Sequence, residues 1–316
     1  MRKFLALVLT AALTAVGALA QTQQAPTLRI VTEDGNRLPA ELVYGNTKVK
    51  PLRLRPGTNT PITIDDADFF VQQHYVDFLS RFPDQGGFAF WQNEILQCGT
   101  NAGCIDIKRQ NVSAAFFLAI EFQELGYFVY RMHKAAFGDL AGKPVPVRRE
   151  SFMTETRGIS KDIIVGVGNW AQKLEANKTA YTSSFVNRGD FQAAFAGATT
   201  PTQFVDKLNT NAGGVLSATE RQTLINNLTA NNNAAGRASV LRRVAEDETL
   251  RANEINKAFV LMQYFGYLKR DPDAFPDDNF NGYFFWLGKL NDFGGNFVRA
   301  QMVKAFIESI EYRSRF

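Results

Sequence analysis

An acid and amide run near the C-terminal end has the most metal-like spacing in the chain. Asp277, Asn279 and Asn281 stand at alternate positions, Gly282 follows, and Asp271 and Asp273 lie just upstream. Alternating oxygen ligands that wrap a hard cation, closed by a glycine that permits the turn, form the first half of a calcium loop. Gly288 stands where the closing bidentate glutamate belongs. The spacing therefore predicts weak calcium binding at most. The competing reading is a capping turn for the helix that carries Trp286.

The other chemistry-bearing residues are few. The two cysteines, Cys98 and Cys104, enclose the Gly/Asn-rich stretch Gly99-Thr100-Asn101-Ala102-Gly103. They lack a Cys-x-x-Cys spacing and a nearby histidine, which argues against a redox or zinc pair. In an oxidising compartment they are expected to form a local disulfide. His74 and His133 each fall inside a helix beside an apolar stripe, and are expected as partly buried hydrogen-bonding residues rather than acid/base groups. A Ser-His-Asp arrangement is compatible with the composition, but no Gly-x-Ser-x-Gly elbow is present. Paired carboxylates for glycoside hydrolysis would have to come from Glu94, Glu121, Glu124, Asp77 or Asp84. Gly166-Val167-Gly168 imitates a dinucleotide turn, yet Trp170 sits where the backbone must approach pyrophosphate and no second strand of a βαβ unit follows.

Charge narrows the partners. With 35 Lys+Arg against 31 Asp+Glu among 316 residues, and with Arg2 and Lys3 in a segment read as a leader, the balance excludes a nucleic-acid-binding type. Arg148-Arg149 and Arg242-Arg243 are short, acid-flanked pairs, expected as solvated surface.

The elements that must position these residues are read from three composition regimes. Residues 1–20 have a positive start, an apolar stretch from Phe4 to Val16 and the small-x-small site Ala18-Leu19-Ala20, the pattern of a cleaved secretory signal. That apolar run is too short to span a membrane, and no later segment is apolar enough. Residues 21–64 form an N-terminal extension: Leu28 to Thr32 and Ala40 to Tyr44 read as two strands around Asp34-Gly35-Asn36, followed by a Pro/Gly/Asn linker from Pro51 to Pro61.

Residues 65–316 are read as tandem helical repeats. Phe70-Val71, Tyr75, Phe78-Leu79, Arg81, Pro83-Asp84, Gly87 and Trp91 match Phe259-Val260, Tyr264, Tyr267-Leu268, Arg270, Pro272-Asp273, Gly282 and Trp286, with six extra residues after the later Asp. Ala115-Phe116, Ala119, Ile120-Glu121-Phe122 then align without gaps on Ala305-Phe306, Ser309, Ile310-Glu311-Tyr312. Two weaker copies lie between: one opens at Phe128-Val129, reaches Trp170 and closes with Phe185 and Asp190-Phe191. The next opens at Phe204-Val205, has Leu224 in the Trp position and closes with Val244 and Thr249-Leu250. Units thus begin near residues 70, 128, 204 and 259. Within the first, Val71, Tyr75, Phe78 and Leu79 lie on one helical face, Asp65 or Asp66 can cap the start, and Pro83-Asp84 ends one helix and caps the next. Trp91 and Ile95 share a face of the second helix, and a third runs through Val112, Phe116 and Ile120. The aromatic residues are expected in the core. Asp139 to Asp162 is expected as the longest irregular stretch after the leader.

The pattern Phe-Val-x-x-x-Tyr-x-x-Phe-Leu-x-Arg-x-Pro-Asp, then a Gly, a Trp helix and a helix closing on Ile-Glu-Phe, resembles the bacterial domain-of-unknown-function family numbered 4214. The resemblance covers roughly residues 66–316, strongly in the first and last units. It implies an all-helical repeat domain of secreted and cell-surface bacterial proteins and carries over no catalytic residue. The third unit departs from the pattern, with Leu208 and Gly213-Gly214 where the Tyr and Leu-x-Arg would fall.

The expectation is an exported, all-α protein of about four tandem helical repeats with a short β-like N-terminal extension. It would serve as a non-catalytic binding or assembly module at the cell envelope, whether periplasmic, surface-held or extracellular. Repeat arrays offer long continuous surfaces, so the expected partner is an envelope protein or polysaccharide, without nucleic acid, membrane span or any cofactor other than calcium. The alternatives are an envelope polysaccharide hydrolase, and a structural surface-layer or matrix subunit that self-associates.

Overall fold

The structure, a computed structural model, describes residues 53–316 and the backbone of three earlier strands, Thr27–Ile30 (β1), Ala40–Tyr44 (β2) and Thr47–Val49 (β3). The leader expected over residues 1–20 lies outside the described residues. The strands form an antiparallel sheet in the order β1-β2-β3, with Thr27 opposite Val43 and Tyr44 opposite Thr47. The two expected strands pair, and β3 is an addition that so short a segment did not announce.

Residues 53–316 are all-helical apart from one isolated bridge, Leu54 to Pro61. The described part of the stretch expected as a linker, residues 53–61, is tied into this helical body. Arg55 N–H donates to Thr60 O, Ile62 N–H to Arg53 O, and the Arg55 guanidinium holds Asp68 at 2.7 Å. Ile64 is buried.

Helix α1 (Ala67–His74) starts after Asp66, whose carboxylate accepts from the Thr63 N–H and hydroxyl instead of capping its own helix. Phe70, Val71 and His74 face the core. A π-helical turn, Tyr75–Leu79, ends at Ser80, whose φ of 54° is left-handed. Asp84 then caps α2 (Gln85–Leu96) by accepting from Gly87 N–H at 2.8 Å, and Asn101 caps α3 (Ala102–Leu118) on Cys104 N–H.

The third helix does not run on to Ile120. Ala119 takes an extended ψ of 143°, so the chain restarts as α4 (Ile120–Glu124) and Ile120 turns outward, while Phe117 and Phe122 fill the core. The same break recurs at Ser309, with ψ 145°, between α14 (Met302–Glu308) and α15 (Ile310–Arg313).

Beyond α5 (Gly126–Phe137), the stretch expected to be irregular contains α6 (Arg149–Ser160). No local residue caps α6. Its Arg149 N–H instead donates to Asp271, 122 residues away, at 3.0 Å, so no start signal is visible in the neighbouring sequence. The chain continues as α7 (Trp170–Val186), α8 (Gly189–Ala194), α9 (Pro201–Asn211), α10 (Ala218–Ala230), α11 (Ala234–Ala245) and α12 (Glu248–Gln263). Thr200 with Gln203, and Ser217 with Glu220, form capping boxes that start α9 and α10. A second π-helical turn, Tyr264–Leu268, follows α12 and ends at left-handed Lys269, ahead of α13 (Asn281–Asp292).

The core is aromatic. Of the apolar landmarks of the middle segments, Phe128, Phe185, Phe191, Phe204, Leu224, Val244 and Leu250 are buried, while Trp170 is only partly buried. The C-terminal segment lies against the first: Lys304 pairs with Asp106 at 2.7 Å, Arg313 with Asp65 at 2.5 Å, and Phe316 packs edge-on to Phe69. Among the described residues no single helix is long and apolar enough to cross a membrane. The bent pair Ala102–Glu124 and Gly126–Phe137 reaches that length and composition, and much of its apolar surface is core.

Candidate functional site

The first and last segments build the same set of contacts. Tyr75 meets Phe116 edge to face at 4.8 Å, and Tyr264 meets Phe306 at 5.2 Å. Arg81 lies 5.0 Å above the Tyr75 ring and grips Glu121 with two hydrogen bonds of 2.8 Å. Arg270 lies 5.4 Å above Tyr264 and grips Glu311 at 2.6 and 3.1 Å. Gly87 and Gly282 each pass beneath the partner tyrosine's hydroxyl, so close that a Cβ at either would collide with it. The repeated Arg-x-Pro-Asp and Ile-Glu words therefore encode an arginine clamp that binds the closing helix to the opening one.

Outside this clamp both segments present aromatic surface. Phe90 stands edge-on to Trp91 at 4.8 Å, and Phe285 to Trp286 at 4.9 Å. Phe90 is 56% and Phe285 54% exposed, with both Trp rings half-buried between them and the core. Ile120 and Ile310, matched by the helix breaks, are also exposed. A fully buried Phe gains roughly 1.5–3 kcal/mol over an exposed one. At about half exposure each of the two matched rings forgoes only part of that gain, and clustered apolar exposure is a mark of interaction surface.

The five carboxylates considered for hydrolysis are all engaged. Glu94 holds Lys108 at 2.6 Å, Glu121 holds Arg81, Glu124 holds Lys178 at 2.5 Å, Asp77 holds Arg315 at 2.8 Å and Lys269 at 3.0 Å, and Asp84 caps α2. Sequence reasoning did not foresee a Ser-His contact, because its members come from two helices 39 residues apart. His74 Nδ1 lies 2.7 Å from Phe70 O, which can only accept, so Nδ1 carries the proton and Nε2 accepts from Ser113 Oγ at 2.5 Å. Burial drives the His74 pKa down to about 4. Both residues are at most 1% exposed, so the serine is closed to any substrate and the contact serves the core.

His133 has a different setting. It lines a cleft of about 390 Å³ between the end of α5, the start of α6 and α8, with Asp139, Arg148, Ser151, Arg188 and Asp190 among the walls. Its Nε2 lies 2.8 Å from Glu155, which also accepts from Tyr181 at 2.5 Å and Arg188 at 2.8 Å. Burial alone would raise the Glu155 carboxyl, but the hydrogen bonds and charges of His133, Tyr181 and Arg188 hold it below its usual value. The acids of this cleft are already paired: Asp139 with Lys134 at 2.7 Å and Asp190 with Arg188 at 2.5 Å. The two histidines are thus hydrogen-bonded as expected, and both are buried rather than partly buried, His74 completely.

The acid and amide run is divided among other tasks. Asp277 pairs with Arg270 at 2.7 Å, Asn279 Oδ1 accepts from Asn281 N–H at 2.8 Å, and Asn281 opens α13. Asp271 caps α6, and Asp273 holds Lys143 at 2.5 Å as well as Arg148. Among the described residues no three His, Cys, Asp or Glu side chains gather as a metal group. Cys98 and Cys104 are joined, with Cα atoms 5.5 Å apart.

In comparison with known proteins, no family model, curated protein or solved structure matches the chain.

Proposed function

We propose that the chain is an exported, non-catalytic binding or assembly module of the bacterial cell envelope that holds an envelope protein or polysaccharide. The observation that carries this reading is the matched exposure of Phe90 beside Trp91 and Phe285 beside Trp286. Half-exposed aromatic rings that recur on equivalent helices suit a two-point contact with an extended partner. Two weak contacts joined through one rigid body gain avidity that neither has alone. The non-catalytic reading is supported by the five carboxylates considered for hydrolysis, each of which is already engaged by a cation or, for Asp84, by the Gly87 N–H.

The test is co-sedimentation of the chain from residue 21 onward with cell envelopes, in calcium and in chelator. The unmodified chain is expected in the pellet under both conditions, and Phe90→Ala with Phe285→Ala is expected to return it to the supernatant. Equal sedimentation of the double variant, at unchanged stability, would remove the aromatic faces from the reading.

A further inference from the structure

A second cleft, of about 320 Å³, lies between the end of α7, α8 and the start of α11. Beneath it Phe191 and Phe195 stack on one another at 4.4 Å with an interplanar angle of 17°, each only 2% exposed, so their faces belong to the core. The polar side of the cleft is built differently from the His133 cleft, because no carboxylate lines it. Arg237 is the only charged residue there, and it makes no ion pair among the described residues. The guanidinium is steadied by the Phe204 ring 5.1 Å away and by a 3.4 Å bond from Nε to Asn232 Oδ1, which leaves both terminal nitrogens uncommitted. Around it stand neutral amides with spare capacity. Asn187 spends only Nδ2, on Ser183 O, Asn232 keeps its Nδ2, and the Gln192 amide makes no hydrogen bond among the described residues. The first turn of α11 opens onto the same rim, so its positive end adds to the field of Arg237.

These features define a ligand by its chemistry. A free guanidinium fork matches a carboxylate. Neutral amides bond to hydroxyls in either direction and carry no charge to desolvate. The cleft volume is that of a small-molecule site. We propose that this cleft binds an acidic sugar, a pyranose ring bearing a carboxylate, with Arg237 on the carboxylate and Gln192, Asn187 and Asn232 on the hydroxyls. The proposal rests on the polysaccharide arm of the function above and lies on different helices from the aromatic faces.

The experiment is calorimetric titration of the chain with galacturonate and its short oligomers. Galactose, acetate and inorganic phosphate serve as controls, on the unmodified chain, Arg237→Gln and Gln192→Ala. Uronate is expected to bind, galactose about tenfold more weakly or worse, and acetate and phosphate not to displace it. Arg237→Gln should lose about tenfold or more of the uronate affinity, the scale of a charge-assisted hydrogen bond. Gln192→Ala should lose a smaller factor, with thermal melts unchanged in both variants. No heat from uronate, equal binding of galactose, displacement by phosphate or acetate, or an Arg237→Gln variant of full affinity would each overturn the assignment. Because isolated sugars replace envelopes, failure here leaves the sedimentation result standing on its own.

Discussion

The Phe78 and Tyr267 rings meet edge to face, with centroids 5.0 Å apart and planes at 76°. The two residues hold the same place in the first and last segments, each on its own π-helical turn. Contact between equivalent positions is what a local two-fold relation generates. Arg315 then covers the junction, donating to Asp77 and to Tyr267 O, each at 2.8 Å. Replacing Tyr267 by Ala should therefore cost about 3–5 kcal/mol, the range for deleting a buried aromatic side chain. Urea unfolding measures the cost. Hydrogen exchange should show α1 and α12 losing protection together; loss confined to α12 would mean that the two ends do not stabilise one another.

Acid should weaken the same junction in two steps. His74 has an ordinary pKa of 6.5 and falls to about 4 in the fold because it is buried. Between those values the unfolded chain binds a proton that the folded chain refuses, so stability declines as pH drops from 6.5 to 4, by about 3 kcal/mol in all. Burial alone would raise the Asp77 carboxyl, but Arg315 and Lys269 outweigh it and hold the pKa well below the ordinary 3.8. Its contribution is complete above that value and is lost as pH falls further. Urea midpoints at pH 7, 5 and 3.5 should decline throughout, and His74→Gln should flatten the upper limb alone. An unchanged upper limb in that variant would place its acid sensitivity elsewhere.

Gly87 and Gly282 offer a direct comparison of the two segments. Adding a methyl group in an open helix would stabilise it by up to about 1 kcal/mol, but here the methyl meets the hydroxyl of Tyr75 or Tyr264. Each Gly→Ala change should cost about 1–3 kcal/mol through overpacking. Tyr75→Phe and Tyr264→Phe remove the obstructing oxygen and should restore part of the loss in their own segment only. Double-mutant cycles in urea measure this coupling. A Gly87→Ala variant as stable as the unmodified chain would show that the tyrosine moves aside freely.

The helical body was legible because its landmarks serve the core. Phe70, Val71, Phe128, Phe204 and Phe259 read as buried and are buried, and Asp84 caps the helix its position announced. Features that depend on distant partners were not legible. Helix α6 begins on Asp271, and Ser113 reaches His74 across two helices. Ile120 misled in the opposite direction, since its helical spacing from Phe116 gives no sign of the extended Ala119 that turns it outward. The His133 cleft and the amide-lined cleft were equally hidden, because each collects residues from separate helices whose individual spacings carry no chemistry.

Reduction should leave the fold standing. The Cys98–Cys104 bond closes a short loop, and so short a closure removes only about 2 kcal/mol of unfolded-state freedom. The loop keeps a second support without it, since Asn101 caps α3 on the Cys104 N–H at 3.0 Å. Cys98→Ser with Cys104→Ser should lower the melting temperature by no more than about 6 °C, with helical circular dichroism intact. Global unfolding on reduction would make this loop a principal support of the body.

The Asp277 loop separates calcium binding from capping through Arg270. That guanidinium holds Asp277 at 2.7 Å and Glu311 at 2.6 Å, so an ion seated on Asp277 must displace a cation already bound to it. Asn279 Oδ1 is spent on the Asn281 N–H, which removes a second candidate ligand unless the first turn of α13 opens. A ligand that binds only the folded chain raises its stability as the logarithm of one plus its concentration over Kd. At millimolar calcium the melting temperature should therefore match that in chelator to within about 1 °C. A rise of several degrees would show that calcium wins the loop from the arginine, and the same rise should then disappear in Asp277→Asn.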